Sequence, residues 1–184
     1  TTHRTITYTG APKNPASVSQ PLTWTTDTDE VTGVTTYTPK GDYPEVPSPK
    51  VAGYTPNVAT VSAGTDTVTT TQPKDSGVTV TYTANDEDLT VTYVDTDANN
   101  KVVGTPETLT GKTDETGTYT VKVPSNYVLA DGQESSVPYK FTTDTSDNLT
   151  IKLKHQHTTK LPDGFTGTTH RTITYTGAPK NPAS

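Results

Sequence analysis

Leu89-Thr90-Val91-Thr92-Tyr93-Val94-Asp95 is the stretch on which the fold turns. Leu89, Val91 and Tyr93 fall on one face of an extended chain and Thr90 and Thr92 on the other, the period of two that belongs to a strand. Just upstream, Val78-Thr79-Val80-Thr81-Tyr82 alternates in the same way, and the short polar run Ala84-Asn85-Asp86-Glu87-Asp88 separates the pair. Working outward, Ile6 pairs with Tyr8, Leu22 with Trp24, Tyr119 with Val121 and Val123, and Leu149 with Ile151 and Leu153. Each strand offers one apolar face and one Thr or Lys face, as in antiparallel sheets with one side wet. Asp29–Gly33 and Asp95–Asn100 read as hairpin loops, rich in residues that bond their own backbone. No window carries a helical stripe, and at most a single turn is expected within Thr113–Thr118. The sequence predicts a mainly β protein.

Composition narrows the function. Of 184 residues only 28% are hydrophobic, while 45 are Thr, so two small cores are easier to build than one large one. Without Cys or Met the chain has no thiol nucleophile, thiolate metal site or disulfide framework. A net charge of -6 and a pI near 5.1 disfavour nucleic acid and anionic membranes as partners. No apolar run approaches the roughly 20 residues of a membrane helix. No nucleophile elbow, phosphate-binding loop or HExxH motif is present, and nothing places two carboxylates around a cleft, so a non-enzymatic role is expected.

Residues 1–17 read TTHRTITYTGAPKNPAS, and residues 168–184 repeat them without a change. Such identity points to a tandem array of which this chain is an interior piece. The organisation expected is an N-terminal β-domain over 1–84, a second over 86–154, and a linker with the start of the next repeat over 155–184. Joined near Asn85, the two would stand in line as a rod. The returning strand 171–176 would expose Ile173 and Tyr175 if left alone. It is therefore expected to pair with a sheet edge of its own chain or of a neighbour.

Candidate sites are few. Asp95-x-Asp97-x-Asn99 matches the first three ligand positions of a calcium loop, but Asn100 stands where Gly is needed and Pro106 where Glu is needed. The favoured reading is a polar hairpin whose Asx side chains bond their own backbone, with a weak Ca2+ site as the alternative. For sugar or protein contacts the candidate rings are Tyr43 and Tyr54, which flank a Pro-rich stretch, with Tyr37 and Tyr127. Trp24 alternates with Leu22 and reads as core. His155 and His157 read as a solvated strand end.

At these residues the chain resembles the mucus-binding (Mub) repeats of lactobacillus surface proteins. Residues 88–154 are similar to the MucBP domain through Leu89–Asp95, Leu109-Thr110-Gly111-Lys112, Val123-Pro124-Ser125-Asn126-Tyr127 and Leu149-Thr150-Ile151. Residues 3–84 are similar to the domain that precedes it, through Val31-Thr32-Gly33, Tyr43-Pro44, Ser48-Pro49 and Gly53-Tyr54-Thr55-Pro56. Asn126 departs from the pattern, which has Gly there. The resemblance implies two small β-grasp-like (ubiquitin-like) domains in tandem. It also implies an extracellular place on a bacterial cell wall, anchored by other parts of the parent, and binding to host mucin glycoproteins. Immunoglobulin binding by a strand edge, or a passive spacer role, are the alternatives; neighbouring repeats of the same chain are the further partners expected.

Overall fold

The computed structural model describes residues 1–144, 147–159, 164 and 170–177. The first half holds β1 (Thr2–Thr9), β2 (Val18–Leu22), β3 (Trp24–Thr28), β4 (Thr35–Pro39), β5 (Val46–Pro47), β6 (Tyr54–Pro56), β7 (Thr60–Val61) and β8 (Ser76–Ala84). The second holds β9 (Asp86–Asp95), β10 (Lys101–Val102), β11 (Glu107–Lys112), β12 (Thr116–Thr120), β13 (Tyr127–Leu129), β14 (Ser136–Lys140) and β15 (Leu149–His155). The expected alternation is realised: on β1 the side chains of Thr2, Arg4, Ile6 and Tyr8 point inward and their neighbours outward.

Both halves use one sheet plan. In the first, the order is β2-β1-β8-β6, with β1 and β8 parallel and both flanks antiparallel. In the second, β9 and β15 form the parallel pair, β11 and β10 line the outer edge of β9, and β13 lies antiparallel to β15. A parallel pair cannot be joined by a tight turn and needs a long crossover. Here the first crossover carries the β3–β4 hairpin and the short β5–β7 pair, and the second carries the β12–β14 pair. Helical turns among the described residues are of the 3-10 kind, at Thr96–Ala98 and at Asp147, and no described helix is long and apolar enough to cross a membrane. The turn expected within Thr113–Thr118 is instead a tight reversal closed by Glu115 N–H to Lys112 O (2.9 Å), after which β12 begins. Glu115 also reaches back to accept from the Lys112 amide, which fixes the reversal without a helix.

Each sheet covers its own core. The first gathers Ile6, Tyr8, Ala11, Val61, Val80 and Tyr82; the second Leu89, Val91, Tyr119, Phe141, Ile151 and Leu153. Asn85 alone separates β8 from β9, and it is clamped from both sides. Its N–H donates to Gly53 O (2.9 Å) and its carbonyl accepts from Thr113 N–H (3.0 Å). The Thr113 hydroxyl, buried, lies 2.8 Å from Gly53 O and 2.9 Å from Glu87 Oε1, one proton between two acceptors. Gly53 has φ +75°, and a Cβ there would stand 2.3 Å from Thr113 Cγ2, so glycine is required by backbone and by space together. Asn126, where the resemblance has Gly, adopts φ 69° and so keeps the left-handed turn.

Residues 171–176 form no strand, and Ile173 and Tyr175 are 45% and 47% exposed. Pairing of this segment with a sheet edge of its own chain is therefore not found; the remainder of the repeat, 168–169 and 178–184, lies outside the described residues.

Candidate functional site

Strand β1 introduces the first unusual feature of the first unit. Arg4 shares the parity of Ile6 and Tyr8, so it is carried inside, to 6% exposure. No carboxylate among the described residues forms an ion pair with it. Its Nε donates to Gln20 Oε1 (2.8 Å) and its terminal nitrogens to Ser62 O and Pro44 O (2.9 and 2.8 Å). Its guanidinium also lies 5.1 Å from the centre of the Tyr43 ring. Buried charge is tolerable only when every donor is satisfied, and a ring face adds electrostatic support. Tyr43 is thus a core residue, 5% exposed, and its expected availability to a ligand is corrected. The physical reason is the arginine: the ring is needed to cover it. The Tyr43 hydroxyl is in turn hydrogen-bonded to the Thr2 hydroxyl (3.0 Å), which accepts from the Trp24 indole N–H (2.9 Å).

Trp24 is the second correction. It is half-buried rather than core, and it stands between two open cavities of about 170 and 280 Å³ that share it with Gln72 and Pro73. The β3–β4 register puts Thr26 opposite Tyr37 and Trp24 opposite Pro39, so Trp24, Thr26 and Tyr37 share one face of that hairpin. Tyr37 therefore joins Trp24 in the smaller cavity. Asp66 and Lys74 border the larger one.

The other predicted rings sit elsewhere. Tyr54 borders a cavity of about 540 Å³ with Pro49, Lys50 and Val51, and its hydroxyl donates to Asp114 Oδ2 (2.8 Å) across the joint between the units. Burial first, then the Asp114 carboxylate, pushes that hydroxyl's pKa up. Asp114 itself is held below the usual carboxylate range by its bond to Lys140 (2.5 Å) and by Tyr54. Tyr127 is half-buried, edge-on to His155 at 5.9 Å. Tyr119 is buried at the end of a hydroxyl relay in which Lys122 N–H donates to Tyr93, Tyr93 to Tyr119, and Tyr119 to Glu107. Burial, then Tyr93 and Glu107, raises its pKa strongly.

The Asp95–Asn99 segment adopts the expected Asx pattern: Asp95 Oδ1 accepts from Asp97 N–H (3.0 Å), and Asn99 takes φ 54° after the 3-10 turn. His155 is an exposed strand end, as expected, but its ring is not without partners. It closes β15, its Nε2 lies 2.8 Å from Asp95 Oδ2, and its N–H donates to Asp97 Oδ2 (2.7 Å). Asp95, Asp97 and His155 thus bring three possible ligand atoms within 4.8 Å, while Asp95 Oδ2 is engaged by the His155 ring and Asp97 Oδ2 by the His155 backbone N–H. Burial pushes the Asp95 carboxyl up; the bonds from His155 and from the Asp97 and Ala98 amides, with the His155 charge, outweigh it and hold the pKa low. Sequence spacing could not reveal His155 here, because it arrives from the far strand of the parallel pair.

The model of the Muc B2-like domain matches residues 1–86, and that of a mucin binding domain matches residues 87–155. A solved domain of an adhesion exoprotein from Pediococcus pentosaceus is 42% identical, over 42% of this chain and 97% of that one, with a TM-score of 0.36. The chain belongs to the mucin-binding domain family. Two further members agree. One is the MucBP domain of the Pediococcus pentosaceus adhesion protein, 32% identical over 46% of this chain and 97% of that one, with a TM-score of 0.31. The other is a mucin-binding domain from Streptococcus pneumoniae, 32% identical over 45% and 88%, also with a TM-score of 0.31. The two family matches together span residues 1–155. Among curated proteins none matches the chain. Membership places the chain among the repeats of surface adhesion proteins.

Proposed function

We propose that this chain is an adhesion repeat that binds host mucin glycoproteins through their glycans. On this reading 1–84 and 86–154 are its two domains and 155–184 leads into the next copy. The repeats are held outside the cell by a cell-wall anchor elsewhere in the parent. The observation that carries the reading is the match of residues 87–155 to a mucin binding domain. The repeated segment supplies the logic: weak single sites in tandem gain avidity without any new contact.

The test is binding of the full chain to immobilised mucin, before and after enzymatic removal of glycans, beside immobilised immunoglobulin. Binding that falls away on deglycosylation is the expected result. Binding to immunoglobulin alone would replace it with a protein-binding module using a strand edge. Silence on both would make the repeat a spacer.

A further inference from the structure

We infer that the groove over Trp24 in the first unit is a carbohydrate site that seats a neutral pyranose against the indole face. The inference rests on the glycan-binding reading and gives it a place on the molecule. A pyranose is two-sided chemistry: a patch of polarised C–H bonds on one face and hydroxyls around the rim. Its receptor needs a flat electron-rich ring, held still, with donors and acceptors beside it. Trp24 supplies the ring, whose face carries the negative end of the quadrupole.

The ring is held from beneath. Its N–H is fixed on Thr2, Thr2 on Tyr43, and Tyr43 on the buried Arg4. A side chain locked in this way loses little rotamer freedom on binding, so more of each contact appears as affinity. The rim supplies the rest. Thr26 and Tyr37 stand on the same hairpin face, and Gln72 lies at the boundary of the two cavities that meet at Trp24. Threonine hydroxyls, one amide and one carboxylate alternate as donors and acceptors, the set a ring of sugar hydroxyls can satisfy.

Other occupants fit poorly. An apolar ligand would strand these polar groups without partners. For a polyanion, Lys74 is the one cationic side chain along the groove among the described residues, Asp66 lies in the same cavity, and the chain carries -6 overall. A peptide added as a strand beside β4 is blocked at Tyr37, whose N–H and C=O are already paired with Thr69 (2.7 and 3.0 Å).

Trp24 is the protein's single tryptophan, so its emission reports this groove and nothing else. The experiment titrates the full chain with desialylated O-glycans released from gastric mucin, following tryptophan fluorescence and, in parallel, calorimetry. A saturable change in emission is expected, with Trp24→Ala weakening binding about tenfold or more, the loss of an aromatic anchor. Gln72→Ala, at an exposed rim position, is expected to weaken it several-fold with the fold intact, and it decides the matter together with the emission signal should Trp24→Ala not fold. Glycan binding with unchanged emission and undiminished by Gln72→Ala overturns the site while leaving the adhesion reading standing. Emission that responds to deglycosylated mucin polypeptide and not to the glycans also overturns it, in favour of a peptide ligand. Failure of the unaltered chain to bind mucin in any form removes the adhesion reading and this site with it.

Discussion

On β1 the buried face carries Thr2, Arg4, Ile6 and Tyr8; on its counterpart β9 the deeply buried positions begin with Leu89 and Val91. The two strands occupy the same place in the same sheet plan. Yet the first unit buries a cation and a chain of hydroxyls at one end of its sheet, while the second fills its core with Leu, Val, Ile and Phe and the ring of Tyr119, whose hydroxyl is bonded to Tyr93. One plan therefore tolerates two interiors, a polar scaffold that holds a half-exposed tryptophan in place and an apolar one that has no such ring to hold. Position in a fold dictates burial; what is buried decides whether the surface above it is rigid enough to bind.

That contrast can be broken from either side. Ile151→Ala opens a cavity in the apolar interior and is expected to cost about 2–5 kcal/mol. Calorimetry should show the second unit melting early while the first keeps its transition; joint loss of both would mean that the units fold as one. Arg4→Met in the polar interior leaves Gln20 Oε1 and Ser62 O without their donor, while Pro44 O keeps the Gln20 amide, and about 2–3 kcal/mol is expected from unsatisfied groups. It should also red-shift Trp24 emission as Thr2 and Tyr43 loosen, and an unchanged emission would separate the scaffold from the ring.

The joint comes next in size. Gly53→Ala forces a Cβ into Thr113 at a left-handed φ and should cost about 1–3 kcal/mol. Small-angle scattering, expected to show two units in line for the unaltered chain, should then show a broader spread of separations. A subtler handle is pH. The folded state holds Asp114 below its ordinary value of 3.8, so as pH falls the unfolded chain takes up the proton first. The stability from Asp114 is complete above that value and is lost as pH drops through the lowered one. Asp114→Asn should flatten this acid limb of the melting curve. The smallest effect is expected from chelation: with the atoms of Asp95 and Asp97 already bonded, removal of calcium should leave melting unchanged. A stabilisation of about 4 kcal/mol, which corresponds to calcium near 1,000 times its Kd, would contradict this.

The sheets were legible because alternation is local. Leu89–Tyr93 and Val78–Tyr82 announce their faces without reference to anything distant, and the Asp29 and Asp95 hairpins announce their turns. Arg4 has the parity of Ile6 and Tyr8, but a charged side chain gives no local sign that it is buried. The site was less legible because it is assembled across the chain. Trp24 paired with Leu22 looks like core; only the arrival of Gln72 and Asp66 beside it shows an open face. His155 is joined to Asp95 by a parallel pairing, which sequence spacing does not encode. Tyr43 misled for the opposite reason, since prolines nearby suggest exposure and the arginine that claims its ring lies far back in the chain.

The parallel pairing of first and last strands has a mechanical consequence. In each unit the chain enters at the start of one central strand and leaves at the end of its parallel neighbour, β1 beside β8 and β9 beside β15. A pull on the two ends drags these neighbours past each other along their length. The load then falls on the whole ladder from Arg4–Ser76 to Thr9–Thr81 at once, instead of opening it bond by bond from one end. A protein gripping a flowing surface is loaded in this direction, and its lifetime under load is set by how fast that ladder can shear.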